Sequence, residues 1–74
     1  MIRLKEIVRK DDIVSAIVEA KDEVFSIKIN CINGDILDCS KDITNNAKRA
    51  RNRLMSLCIE YGNNLPSEIS VAWY

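Results

Sequence analysis

The sequence predicts an α+β fold: a mostly antiparallel five-stranded sheet, in the order β-β-β-β-α-β, with one helix packed across one face. Three observations predict it. Apolar and polar residues alternate with a period of two through most of residues 2–39 and again through 68–74. Between Ser40 and Gly62 the period changes, and apolar residues recur every three or four positions. Asn33-Gly34, between two alternating runs, is a hairpin signal, because Asn and Gly best tolerate the positive φ of a type I′ turn.

The first strand begins at Ile2 and carries Ile2, Leu4, Ile7 and Val8. The connection around Lys10-Asp11-Asp12 most simply forms a three-residue loop, which keeps Ile2, Leu4 and Val8 on the face of Val14 and Val18. The second strand runs from Ile13 to Ala20 and turns at Lys21-Asp22. Placing Ala20 opposite Glu23 pairs Val18 with Phe25, Ala16 with Ile27 and Val14 with Ile29, so apolar meets apolar at each step. The third strand spans Val24 to Ile32, and the Asn33-Gly34 turn leads to a short fourth, Asp35 to Cys39.

Ser40 is a suitable N-cap for the helix that follows. Ile43, Ala47, Ala50, Leu54, Leu57, Cys58 and Tyr61 form its apolar stripe, over about five to six turns. Gly62 can adopt the left-handed conformation that ends a helix, and Pro66 prevents its resumption. In the tail, Ile69, Val71 and Trp73 face one way along a final strand. Val14, Ala16 and Val18, all small, are expected beneath the helix. A last strand beside the first gives the order 5-1-2-3-4; one beside the fourth, through a right-handed crossover, is the alternative.

The chain is expected to be one domain: 74 residues, 47% hydrophobic. A domain of about this size buries only about 60% of the surface its unfolded chain exposes, and small scaffolds commonly gain support from disulfides, a metal or a second copy. Cys31, Cys39 and Cys58 are odd in number, lack a CxxC pair and lack a fourth zinc ligand, so they read as buried apolar residues and no metal is expected. With a charged, alternating N-terminus in place of a signal peptide, the expected setting is cytoplasmic. No apolar run approaches the roughly 20 residues of a membrane-spanning helix.

Catalytic chemistry finds little material. Histidine is absent, which removes the commonest general base and metal ligand. The serines have no base to activate them, two glycines cannot build a phosphate-cradling loop, and Asp35 and Asp38 are ordinary turn residues. No catalytic residue and no cofactor is therefore assigned, and a non-enzymatic protein is expected.

The informative surfaces are apolar. If Val14, Val18, Phe25, Ile27 and Ile29 face the helix, strand alternation sends Ile7, Ile13, Ile17, Val24, Ile32 and Leu37 to the other face. One helix covers one face, and a contiguous apolar patch on the other marks an interaction surface. Met55 and Ile59, four apart on a helix flank, add a smaller cue. The expected partner is a second copy of the chain or another protein. The corresponding expectation for function is a regulatory or inhibitory accessory protein, of a bacterium, phage or mobile element, whose AT-rich genomes suit a chain rich in Ile, Asn and Lys.

The stretch AKRARNRL supplies the alternative, a nucleic-acid-binding accessory protein using Lys48, Arg49, Arg51 and Arg53. Against it stand a net charge of zero and the helical wheel, which sends the four cations in different directions with no aromatic among them. The simpler reading is a solvated helix surface whose flanking arginine stems cover the sheet.

Overall fold

A computed structural model describes residues 2–21, 23–40 and 45–71 of the chain. Five strands, β1 (Ile2–Lys10), β2 (Ile13–Glu19), β3 (Val24–Asn30), β4 (Ile36–Cys39) and β5 (Ile69–Val71), form one sheet in the order β4-β3-β2-β1-β5. Every neighbouring pair is antiparallel. The single described helix, α1 (Asn45–Tyr61), connects the two edge strands and lies over β2 and β3. The last strand thus sits beside the first, Leu4 opposite Ile69 and Ile2 opposite Val71. Trp73 and the Val71 side chain lie outside the described residues, as does Ile43 before the helix.

The β2–β3 hairpin follows simple alternation. Val18 pairs with Phe25, Ala16 with Ile27 and Val14 with Ile29, and the Ala20 amide donates to the Glu23 carbonyl at 2.8 Å across the turn. Inward residues are buried and outward ones at least partly exposed throughout this hairpin.

The β1–β2 hairpin does not. Lys10 lies opposite Ile13, so the turn is only Asp11-Asp12, with Asp11 in the left-handed region at φ 56°. The expected three-residue loop is absent, and the odd residue has moved into the strand. Lys5 pairs with Ile17 but Val8 pairs with Ser15, so Glu6 and Ile7 together oppose Ala16 in a β-bulge, with Glu6 at φ 50°. Beyond the bulge every side chain changes face. Ile7, expected on the open face, is buried in the core, and Val8, expected beneath the helix, is exposed. The Ile7 amide donates to the Ser67 carbonyl at 3.0 Å, so the segment entering β5 satisfies this group at the bulge.

Two further expectations change in detail. The β3–β4 connection is a four-residue loop, 31–34, in place of a two-residue type I′ turn. The Asn30 amide donates to the Asp35 carbonyl at 2.9 Å, and the Asn30 side-chain oxygen accepts from the amides of Ile32 at 2.8 Å and Asn33 at 3.3 Å. That side chain organises the loop, leaving Gly34 alone in it with positive φ, at 81°. Ser40 does not cap the described helix: its hydroxyl accepts the Ser26 amide at 2.9 Å while its own amide donates to the Ser26 carbonyl at 3.0 Å. The sheet's edge pairing takes precedence for this side chain.

The helix buries Ala47, Ala50, Leu54, Leu57 and Cys58. These meet Val14, Ala16 and Val18 of the sheet in one core, where two alanines on α1 and one on β2 let the backbones approach closely. Full burial of a side chain such as Leu54 contributes about 1.5–3 kcal/mol. Tyr61 continues the stripe in direction but is 45% exposed at the last helical residue. The stop is as expected: Gly62 sits at φ 62°, and its amide donates to the Cys58 carbonyl at 2.9 Å. Among the described residues no helix is long and apolar enough to cross a membrane.

Candidate functional site

The side chains singled out in the sequence separate into a core residue and two surfaces. Ile7 belongs to the core, for the reason given by the bulge. Ile13 and Val24 are exposed on the open face of the sheet and Ile17 is partly so, and the bulge adds Val8 to them. Ile32, Leu37 and Ile59 are exposed elsewhere. Ile32 lies in the 31–34 loop, Leu37 is the extra residue of a second register shift between β3 and β4, and Ile59 projects from the helix at 84% exposure.

The open face is a mixed surface. Across it run the rows Lys10–Ile13–Asn30, Val8–Ser15–Lys28–Asp38, Lys5–Ile17–Ser26 and Arg3–Glu19–Val24. Glu19 accepts from Lys5 Nζ at 3.2 Å and lies 3.7 Å from Arg3 Nη1, while Arg3 Nε approaches Glu68 at 3.4 Å. These partly exposed pairs contribute little stability. They do separate Val24 from the other apolar groups. At the opposite end, Val8 and Ile13 line a half-open recess of about 660 Å³ together with Lys10, Asp11, Asp12, Ser15, Lys28 and Asn30. Exposed apolar side chains among polar ones of both signs are the make-up of a modest protein-contact patch.

The second surface follows the flank of α1 nearest β4. Lys48 and Arg51 share a shallower recess of about 540 Å³ with Asp35, Ile36 and Leu37. One turn on, Met55 is partly buried and covers Gly34, where a Cβ would lie 3.6 Å from the Met55 methyl. Met55 is therefore part of the packing between helix and loop and keeps only part of its side chain exposed. Ile59 follows it on the same flank.

The four cations divide into two pairs. Lys48 and Arg51 face the β4 edge, where Asp35 shares their recess, and the Arg51 guanidinium donates to Asn52 Oδ1 at 3.2 Å. Helical spacing places Arg49 and Arg53 together on the other flank. A phosphate backbone calls for cations that converge, and these point apart.

Two arrangements were missed by sequence reasoning. Arg9, on the helix side because of the bulge, donates from Nη1 to the Gly62 carbonyl at 3.0 Å and from Nε to the Asp11 carbonyl at 2.8 Å. It supplies a cation at the helix C-terminus, whose own last turn carries no basic residue. The periodicity held no signal for it, since the bulge decides which way Arg9 points. Cys31 and Cys58 also share the buried core. Burial pushes the Cys58 thiol up from its ordinary value, and the adjacent Cys31 adds to the shift through charge and a hydrogen bond, while Arg9 opposes it. Spacing of 27 positions along the chain gives no hint of this shared burial.

Among the described residues no group of three or more His, Cys, Asp or Glu converges as a metal site requires. No family model, curated protein or solved structure matches the chain.

Proposed function

We propose that this chain is a non-enzymatic protein-interaction module whose working surface is the open face of the sheet, and that its first partner is a second copy of itself. The observation that carries the reading is the Val8–Ile13 pair: two β-branched side chains, 58% and 41% exposed, that line a recess on the face opposite the helix. Strands about 4.8 Å apart that rise about 3.3 Å per residue give this face roughly 20 by 20 Å, so two copies would bury about 800–1,000 Å² in all. That lies below the about 1,200–2,000 Å² of a standard specific interface, in the range of weak, reversible contacts. At about 25 cal/mol per Å² of apolar area, less the cost of association, it supports a dimer in about the micromolar range. A regulatory or inhibitory accessory role in the cytoplasm of a bacterium, phage or mobile element is the most concrete form of this proposal, because such a module acts by covering or holding a partner.

Sedimentation equilibrium tests it, comparing wild type with a Val8→Lys, Ile13→Lys double variant. Both side chains lie outside the core, so the variant is expected to keep its fold by circular dichroism and to sediment as monomer where the wild type dimerises. A well-folded wild-type monomer at high concentration would remove the second copy as partner.

A further inference from the structure

We propose that two copies meet on their open faces with their strands antiparallel, the Asp11-Asp12 turn of each reaching Lys28 of the partner subunit. This rests on the open-face dimer proposed above and specifies its arrangement. Charge is settled at one end of the face and left open at the other. Arg3, Lys5, Glu19 and Glu68 pair among themselves within the chain. Around the recess, Lys10, Asp11, Asp12 and Lys28 are exposed, and among the described residues none of their charged groups has an ion-pair or hydrogen-bond partner. Opposite charges left unpaired on one patch are complementary to a second copy of that patch.

Spacing selects the arrangement. Lys28 stands beside Ser15 in the register of β2 and β3, with Val8 on the other side of Ser15. Asp12 lies three residues from Ser15 toward the turn, roughly 10 Å at about 3.3 Å per residue, and Ile13 falls between. The carboxylates and the ammonium thus occupy opposite ends of the recess.

A two-fold axis parallel to the strands would set turn against turn and bring four carboxylates together, which repel. An axis across the strands, between the rows of Ile13 and Ser15, inverts one patch on the other. Each turn then comes to Lys28 of the partner subunit, twice per dimer, and Ile13 is covered between the two contacts. The same axis lays the aliphatic stem of each Lys10 over Val8 of the partner subunit. The apolar pair supplies the contact, and the charges set its orientation.

Charge reversal in the full chain tests it, with Lys28→Glu, Asp12→Lys and the double variant compared by sedimentation equilibrium. Both positions are exposed and outside the core, and circular dichroism checks the fold of each variant. Either single reversal opposes like charges at both symmetric contacts and is expected to raise the dimer Kd about tenfold at low salt, with a smaller difference at high salt. An equimolar mixture of the two single variants restores opposite charges at both contacts, as does the double variant alone, and each is expected to return near the wild-type Kd. Wild type by itself gives a second readout: carbodiimide treatment of mixed isotope-labelled and unlabelled chains should join Lys28 to Asp11 or Asp12 between chains. A wild-type dimer indifferent to the single reversals, or no recovery in the mixture, overturns the arrangement and leaves the open-face dimer standing. A tighter Asp12→Lys homodimer means turn against turn and overturns it as well. A monomeric wild type removes both the arrangement and the dimer.

Discussion

The two hairpins at the centre of the sheet have nearly the same alternating sequence character and different outcomes. In β2–β3, period two holds from the Ala20–Glu23 turn to the Val14–Ile29 pair. In β1–β2, the bulge at Glu6 and Ile7 inverts the second half of β1, sending Ile7 and Arg9 toward the helix and Val8 and Lys10 toward the open face. A single extra residue thereby completes the core, places a guanidinium at the helix C-terminus and brings Val8 into the lining of the recess. Alternation specifies which residues of a strand share a face only as far as the next irregularity.

The sharpest way to break this comparison is to truncate the two neighbours separately. Ile7→Ala is expected to cost about 2–4 kcal/mol, as for a buried isoleucine, and Val8→Ala under about 1 kcal/mol. Urea unfolding measures both, at a concentration where the protein is monomeric. The reverse ranking would place Val8 in the core and remove the bulge.

Arg9 comes next. Arg9→Met keeps much of the aliphatic stem but loses both bonds to carbonyls, and is expected to cost about 1–2 kcal/mol. Its unfolding midpoint should also lose some dependence on salt relative to wild type, since the interaction at the helix end is electrostatic. A variant equal to wild type in stability would mean that the helix end is satisfied without Arg9.

Glu6 offers a gain of stability in place of a loss. A non-glycine residue at φ 50° is held in a sparsely populated region, so Glu6→Gly relieves steric cost at the bulge while loosening the unfolded chain. The expected net effect is a stabilisation of about 0.5 kcal/mol, read as a higher urea midpoint. The same substitution at Ser26, in the regular hairpin, should destabilise instead. A loss at both positions would argue against a left-handed Glu6.

The smallest effect concerns Cys58. Its thiol is pushed above the ordinary value of 9.0 in the folded chain, chiefly by burial, and returns toward that value on unfolding. The folded state thus resists an ionisation that the unfolded state accepts. Its contribution to stability is fully present below the unfolded value and is lost as pH rises through the folded one. Under reducing conditions, unfolding midpoints are expected to decline from about pH 9 upward, and Cys58→Ala should show a shallower decline.

By itself the sequence determined the parts whose causes are local. Alternation and β-branching specified the strands, the change of period specified the helix, and Gly62 marked its end. The cross-strand matching of Val18 with Phe25 set the β2–β3 register, since any one-residue slip would have sent apolar side chains to the wrong face. Even the place of β5 beside β1 was within reach, as one of two orders a helix-crossed sheet allows. Tertiary structure decided everything that depended on where an irregularity falls. A bulge at Glu6 and a tight turn at Asp11-Asp12 carry the same residue count as a straight strand and a longer loop, and no local periodicity distinguishes them. Packing distinguishes them: the bulge buries Ile7, lets Ser67 receive its amide and turns Arg9 to the helix end. The shared burial of Cys31 and Cys58 has the same origin, because two residues so far apart in the chain enter one core only when the loop after β3 closes against α1.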